Sequence, residues 1–245
     1  MKKLLLAIAG TCVAASAIAQ DEPKPFTMDG EFGLIVTTGN TESTSATAGI
    51  TAQQELENWS NDYQIKGLYK EETVIQDGEE VERTSAQKFF ASAQGNYKLE
   101  NPDHRLFVFS SYEDDRFSNF AYQATLAGGW SQKMWETEKT AFEYSVGPGY
   151  SWAETQAGVD NDSFIVRGSA AFKWFISDTA KFTQTASTEV GSENTKSRAE
   201  SALTATISGS LSMKVSLRLD HNSNVAEGVE KLDTETAVTL VYNFF

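Results

Sequence analysis

From Met28 onward, apolar and polar side chains alternate with a period of two over stretches of roughly 10 to 14 residues, and helical spacing is nearly absent. The clearest stretch runs Phe164, Val166, Gly168, Ala170, Phe172, Trp174, Ile176, interleaved with Ile165, Arg167, Ser169, Ala171, Lys173 and Phe175. Successive side chains of a strand point to opposite faces, so one face here is apolar and the other mostly polar. Tyr122 to Trp130, Phe142 to Trp152, Ala199 to Leu211 and Val238 to Phe244 read the same way. Along the chain the pattern predicts about twelve strands, near 28–38, 43–56, 59–72, 84–99, 105–114, 120–132, 139–152, 163–176, 180–191, 197–212, 213–223 and 231–245.

Strands of soluble sandwiches typically run about 5 to 6 residues, whereas a tilted strand needs about 9 to 11 to cross a bilayer. Aromatic side chains also sit near strand ends on the apolar face, with small or aliphatic ones between: Trp59 and Tyr69 around Ile65 and Gly67, Tyr122 and Trp130 around Ala124 and Leu126, Phe164 and Trp174 around Gly168 and Ala170. That is the aromatic-girdle pattern of membrane barrels. The fold class expected is therefore all-β: a transmembrane antiparallel β-barrel of about twelve strands in meander order, spanning 28–245. The chain closes on Val241-Tyr242-Asn243-Phe244-Phe245, and Tyr242, Phe244 and Phe245 resemble the C-terminal signal read by the barrel assembly machinery; Phe245 stands one residue beyond the usual end. An even strand number puts both termini on the periplasmic side, with the longer connections (74–83, 153–162, 224–230) outward and short ones at Asn101-Pro102-Asp103, Ser177-Asp178-Thr179 and the join Ser212-Met213 inward. Gly39-Asn40 fits a tight turn between the first two strands.

Met1-Lys2-Lys3, the apolar run Leu4 to Val13 and the small residues Ala17 and Ala19 match a signal peptide cleaved between Ala19 and Gln20, with 20–27 a short periplasmic segment. The run is too broken for a membrane anchor, and Ala9-Gly10-Thr11 suits lipidation of Cys12 poorly. Cleavage leaves no cysteine, and it leaves eighteen basic against thirty-four acidic side chains, a net charge of −16. Nucleic acid is thereby excluded as a partner, since phosphate binding needs basic patches. No cluster has metal-ligand spacing, no cofactor motif stands out, and Gly39-Asn40 lacks the lysine of a phosphate loop. His104 lies by a turn; His221-Asn222-Ser223 raises a hydrolase reading, which alternation weakens because neighbouring strand residues face opposite ways. The expectation is that the chain is not an enzyme.

On the inward parity lie Glu31, Lys66, Lys88, Glu143, Arg167, Lys173, Glu189, Arg198, Glu200, Lys214, Arg218, Asp220 and Glu235. These charges would be costly in lipid, so they are expected to line a polar lumen. Two readings stay open: an interior filled by ion pairs that hold the barrel's shape, and a narrow pore for small solutes or ions. Asp77, Glu79, Glu80 and Glu82 make one outward loop acidic, as a solvated loop or a cation bridge to lipopolysaccharide. An adhesin would need larger loops than these.

Four groups of residues resemble the salt-induced outer-membrane protein family, YdiY-like. They are Thr37-Thr38-Gly39-Asn40-Thr41-Glu42-Ser43; Asp115-Arg116-Phe117 with Phe120-Ala121-Tyr122 and Gly147-Pro148-Gly149-Tyr150; Ser192-Glu193-Asn194-Thr195 with His221-Asn222-Ser223; and Asp233-Thr234-Glu235-Thr236. The resemblance implies a β-barrel in the outer membrane of a Gram-negative cell, with lipid and lipopolysaccharide around it and a name linked to salt. It brings no catalytic residues.

Overall fold

The computed structural model describes residues 25–37, 42–76 and 79–245, and these form twelve strands and no helix. The strands are β1 (Phe26–Thr37), β2 (Glu42–Glu55), β3 (Trp59–Gln76), β4 (Glu79–Lys98), β5 (His104–Asp115), β6 (Phe120–Glu136), β7 (Thr140–Thr155), β8 (Ser163–Ser177), β9 (Ala180–Gly191), β10 (Thr195–Ser208), β11 (Leu211–Asn222) and β12 (Leu232–Asn243). Each strand pairs antiparallel with its sequence neighbours, and β1 pairs with β12, so the meander closes into a barrel with no free edge. The expected fold class is the one found. The signal peptide with Ala19 and Gln20, Cys12, and the Gly39-Asn40 turn lie outside the described residues.

Closure places the start of β1 and the end of β12 at one end of the barrel, the termini end. The closing seam is short: its registered pairs run only from Asp29 with Asn243 to Phe32 with Leu240, whereas β1 and β2 pair from Phe26 with Gln54 through to Thr37 with Ser43. Beyond the end of β12, the Phe244 amide still donates to the Met28 carbonyl at 2.9 Å, and the Phe245 ring meets Phe26 edge-on at 5.9 Å. The final aromatics therefore close the ring against β1, with Tyr242, Phe244 and Phe245 exposed on the outside.

Large apolar side chains cover the outer wall. Phe164 is 83 % exposed, and Ile65, Val108, Leu126, Val166 and Leu240 are exposed beside it. Aromatic rings concentrate at two levels. Near the termini end, Trp59 packs on Tyr97 at 5.3 Å and Trp130 on Tyr144 at 5.5 Å; near the far end, Tyr112 stacks on Tyr122 at 6.3 Å and Tyr150 meets Phe164 at 5.0 Å. Trp59 and Tyr69 lie ten residues apart on β3, about 33 Å along the strand, which a tilt of about 40° projects to ~25 Å, the height of an apolar membrane band. An apolar band of that height between two aromatic rings is what a bilayer requires of a spanning surface.

The structure departs from the sequence pattern at three places. The outward loop expected at 74–83 is mostly a hairpin: β3 and β4 stay paired as far as Gln76 with Glu79, with Val74 opposite Val81. The polar tip extends because cross-strand charges match there, Arg83 reaching Glu72 at 3.0 Å. Of the acidic group, Glu82 is an exposed residue of β4, while Asp77 and the side chains of Glu79 and Glu80 lie outside what is described. The join expected at Ser212-Met213 sits earlier, at Gly209-Ser210. Gly209 adopts φ +50°, a conformation that favours glycine, and a register shift between Thr206 and Ser208 absorbs the offset. Finally, the interior is less polar than alternation implies, because Phe90, Phe107, Phe109 and Phe120 point inward, Phe107 being only 2 % exposed.

Candidate functional site

The pleat aims alternate side chains of every strand into the lumen, and charged residues on those positions meet across it. Two carboxylates act as hubs. Glu200 of β10 accepts Lys66 of β3 at 2.9 Å, Arg218 of β11 at 2.9 Å and Lys214 of β11 at 3.2 Å; Lys214 also reaches Glu31 of β1 at 3.0 Å. Glu113 of β5 accepts Arg198 at 2.6 Å and Lys196 at 3.1 Å, both from β10, and Lys88 of β4 at 3.2 Å. Lys88 bridges on to Asp220 of β11 at 3.3 Å and Asp115 at 3.6 Å, and Arg198 also pairs with Asp220. Strands β4 and β5 lie across the ring from β10 and β11, so these pairs brace opposite walls. The Arg198 guanidinium further covers the Phe90 ring of the facing wall at 4.7 Å.

Along the strands the Glu113 cluster of this lattice lies toward the end away from the termini, and the Glu200 cluster, with Lys66, Lys214 and Glu31, lies at mid-height or nearer the termini. Beside it the free space is about 40 Å³, bordered by Glu31, Lys66, Glu200, Lys214, Arg218 and Glu235, which is room for a few water molecules at most. Toward the termini end the lumen widens into a vestibule of about 460 Å³. Its wall carries Asp62, Arg105, Lys133, Glu143, Lys173 and Lys181 among many Ser and Thr hydroxyls. At the far mouth the 223–231 connection crosses the opening, the Ala226 amide donating to Asn119 Oδ1 of the β5–β6 connection at 2.9 Å. Asn222 Oδ1 accepts from Asn194 at 2.8 Å, and Ser223 and Asn224 tie the 223–231 connection to Glu193 and Asn194 of the β9–β10 connection.

Of the thirteen charged positions read as inward from sequence, ten take part in these ion pairs or in the Arg167–Glu189 pair on β8 and β9. Glu143 and Lys173 border the vestibule and Glu235 the narrow space, each without an ion pair among the described residues. Sequence reading missed Glu113, Asp115, Lys196, Arg105 and Asp62. On β5 both parities are apolar (Leu106 and Val108 against Phe107 and Phe109), which hid the lumen face; Arg105 and Glu113 at its two ends share the parity of the inward phenylalanines and could have revealed it.

The hydrolase reading gains no support from the geometry. Asp220 points inward, His221 therefore points out, and its registered neighbour Ser197 spends its hydroxyl on Thr188 at 3.0 Å. His104 stacks on Trp130 at 5.5 Å in the termini-end girdle. Among the described residues no group of three or more His, Cys, Asp or Glu is arranged to hold a metal ion.

Comparison with known proteins agrees with this architecture. The chain is 27 % identical over 221 residues to the uncharacterized protein YdiY of Escherichia coli strain K12, an alignment that covers 90 % of this chain and 84 % of that one. In fold it is similar to the COG4313 outer membrane channel from Pseudomonas putida F1, with a TM-score of 0.50 at 10 % identity, covering 94 % of this chain and all of that one. A structure of the NanC porin gives a TM-score of 0.49 at 10 % identity over 88 % of this chain and 98 % of that one. The family model described as "Protein of unknown function, DUF481" matches residues 30–244, nearly the whole barrel, and the chain is a member of that family.

Proposed function

We propose that this barrel is a narrow channel of the outer membrane for small hydrophilic solutes or ions, with its termini and vestibule toward the periplasm and its passage limited by the ion-pair lattice. The observation that carries the reading is that the barrier inside the lumen is built of side chains, with backbone reaching over the passage at the far mouth through the 223–231 connection. No backbone segment is inserted among the described residues, and the barrier consists of the Glu113 and Glu200 hubs with their cations. Side chains can rearrange on a timescale that allows flickering passage, whereas a folded plug must be displaced whole. A link to salt fits the same feature. Buried contact pairs are screened little, so salt acts where the vestibule wets the lattice, and at ~1 M, with a screening length of about 3 Å, dissolved ions compete there for Lys196, Arg198 and Lys214.

Planar-bilayer recording of the refolded barrel tests this. Discrete conductance steps are expected, rising more steeply with salt concentration than the bulk conductivity does, and larger in Glu113→Gln, which removes one hub. A second reading, a structural envelope barrel without transport, draws on the cross-bracing of opposite walls by Lys88, Asp220, Arg198 and Glu113. Electrical silence of the native protein and of Glu113→Gln alike, at every salt concentration, would favour it.

A further inference from the structure

Arg167 stands apart from the lattice. It is only 6 % exposed, yet its Nε and Nη1 are buried without a hydrogen-bond partner among the described residues. Its one acidic neighbour, Glu189, lies 3.5 Å from Nε, beyond the 2.7–2.9 Å of a charge-assisted hydrogen bond, and the Glu189 carboxylate is engaged through its other oxygen by the Thr125 hydroxyl at 2.9 Å. A buried guanidinium left this way forfeits hydrogen bonds that water would have given it. What fixes it in place is the Phe109 ring, whose centroid is 3.6 Å from the guanidinium carbon. Arg167 borders the vestibule, but Nε and Nη1 have no surface on it, so a guest entering from the termini end meets the guanidinium at Nη2.

The surroundings of that guanidinium narrow what it can take. Register sets Ser145 of β7, Ser169 of β8 and Ser187 of β9 side by side, one inward step below Arg167, and Ser145 and Ser169 share a hydrogen bond of 2.7 Å. The chain as a whole carries a charge of −14, but the cavity wall has nine basic against six acidic side chains. A vestibule of about 460 Å³ is in the range of small-ligand sites. Glu189 close by disfavours a doubly charged guest.

We propose that Arg167, with the serine row beneath it, forms a binding site for a small hydroxylated monocarboxylate of sugar-acid size. The carboxylate meets the guanidinium, and the serine hydroxyls of β7, β8 and β9 receive the ligand's own hydroxyls. The site does not depend on conduction, because the vestibule is reachable from the termini end whether or not the lattice opens.

Isothermal titration of the refolded full barrel in detergent micelles tests the site, with D-glucuronate as probe, D-glucose as its uncharged counterpart and acetate as the carboxylate without hydroxyls. Glucuronate is expected to bind, and glucose and acetate to bind at least ~10-fold more weakly, a factor equal to about 1.4 kcal/mol. Arg167→Gln should lose glucuronate binding, while Arg167→Lys, which keeps the charge but not the fork, should retain a weakened form of it. Heat-modifiable gel migration of each variant establishes that the barrel has formed, and Arg167→Lys carries the comparison if Arg167→Gln does not fold. No heat from glucuronate on the native barrel overturns the proposal, as does unchanged affinity in a folded Arg167 variant or equal binding of glucose. Conductance without glucuronate binding would sink this site and leave the channel reading standing; binding in an electrically silent barrel would do the reverse.

Discussion

A few positions without side chains matter as much to this barrel as its charged ones. At Gly147 a Cβ would come within 2.2 Å of the Gly128 carbonyl oxygen and 2.7 Å of the Gly129 Cα, so β6 and β7 approach there more closely than any other residue allows. Registered pairing between the two strands lapses at that point, between Ala127 with Gly149 and Trp130 with Val146, and Pro148 contributes no amide to it. Gly168, one position along β8 from Gly147's partner Arg167, is different: a Cβ there meets nothing nearer than a Thr188 methyl at 3.9 Å. Gly147→Ala is therefore expected to destabilise the refolded barrel by about 1–3 kcal/mol through overpacking against backbone, whereas Gly168→Ala should stay within about 0.5 kcal/mol. Denaturant unfolding in micelles, followed by tryptophan fluorescence, checks both, and equal midpoints for the two variants would refute the close-approach argument.

At the scale of strands, the outer and inner walls obey opposite rules, and a charge reports which wall it is on. Leu126 in the middle of β6 is about half exposed in the isolated barrel; on a soluble protein, replacing such a residue with arginine would cost within about 0.5 kcal/mol. On a lipid-facing wall near the bilayer midplane the cost is about 2–4 kcal/mol. Leu126→Arg should therefore lower the unfolding midpoint in lipid vesicles far more than in micelles, and a cost as small in vesicles as in micelles would count against a membrane-spanning wall. This opposition is also why most strands were legible in the sequence. In β8 the sets Phe164, Val166 and Trp174 against Arg167, Ser169 and Lys173 separate cleanly, so alternation, length and facing came out together. In β5 they do not separate, because Phe107 and Phe109 fill the lumen while Leu106 and Val108 face lipid; the Glu113 hub went unread as a result. Pairing partners across the ring, such as Lys88 with Asp220 or Lys66 with Glu200, are more than a hundred and thirty residues apart, and no local pattern encodes them. The β3–β4 tip was misread for a different reason: its acidic composition resembles a loop, but backbone pairing and the Arg83–Glu72 contact carry the hairpin through it.

For the whole molecule, the two ends differ in a way that fixes an expected orientation. The termini end has brief turns, such as Gly209-Ser210, and carries the open vestibule; the far end carries the longer connections, one of which crosses the mouth and is held there by Asn119. If an even number of strands leaves both termini in the periplasm, Lys231 at the end of the crossing connection faces the medium, and Lys139 in the turn before β7 faces the periplasm; both are exposed. Trypsin added to intact cells should then cut after Lys231 and spare Lys139, while cells with a permeabilised outer membrane should show cutting at both. Asn119→Ala removes the acceptor of the Ala226 amide but leaves the barrel wall untouched, so it should speed the cut at Lys231 without altering the thermal transition of the barrel. Cleavage at Lys139 in intact cells would reverse the orientation and put the vestibule outside. An unchanged rate in Asn119→Ala would mean that the crossing connection is held by Asn194, Ser223 and Asn224 alone, at one side of the mouth, and the far opening would then be wider than the Asn119 contact implies.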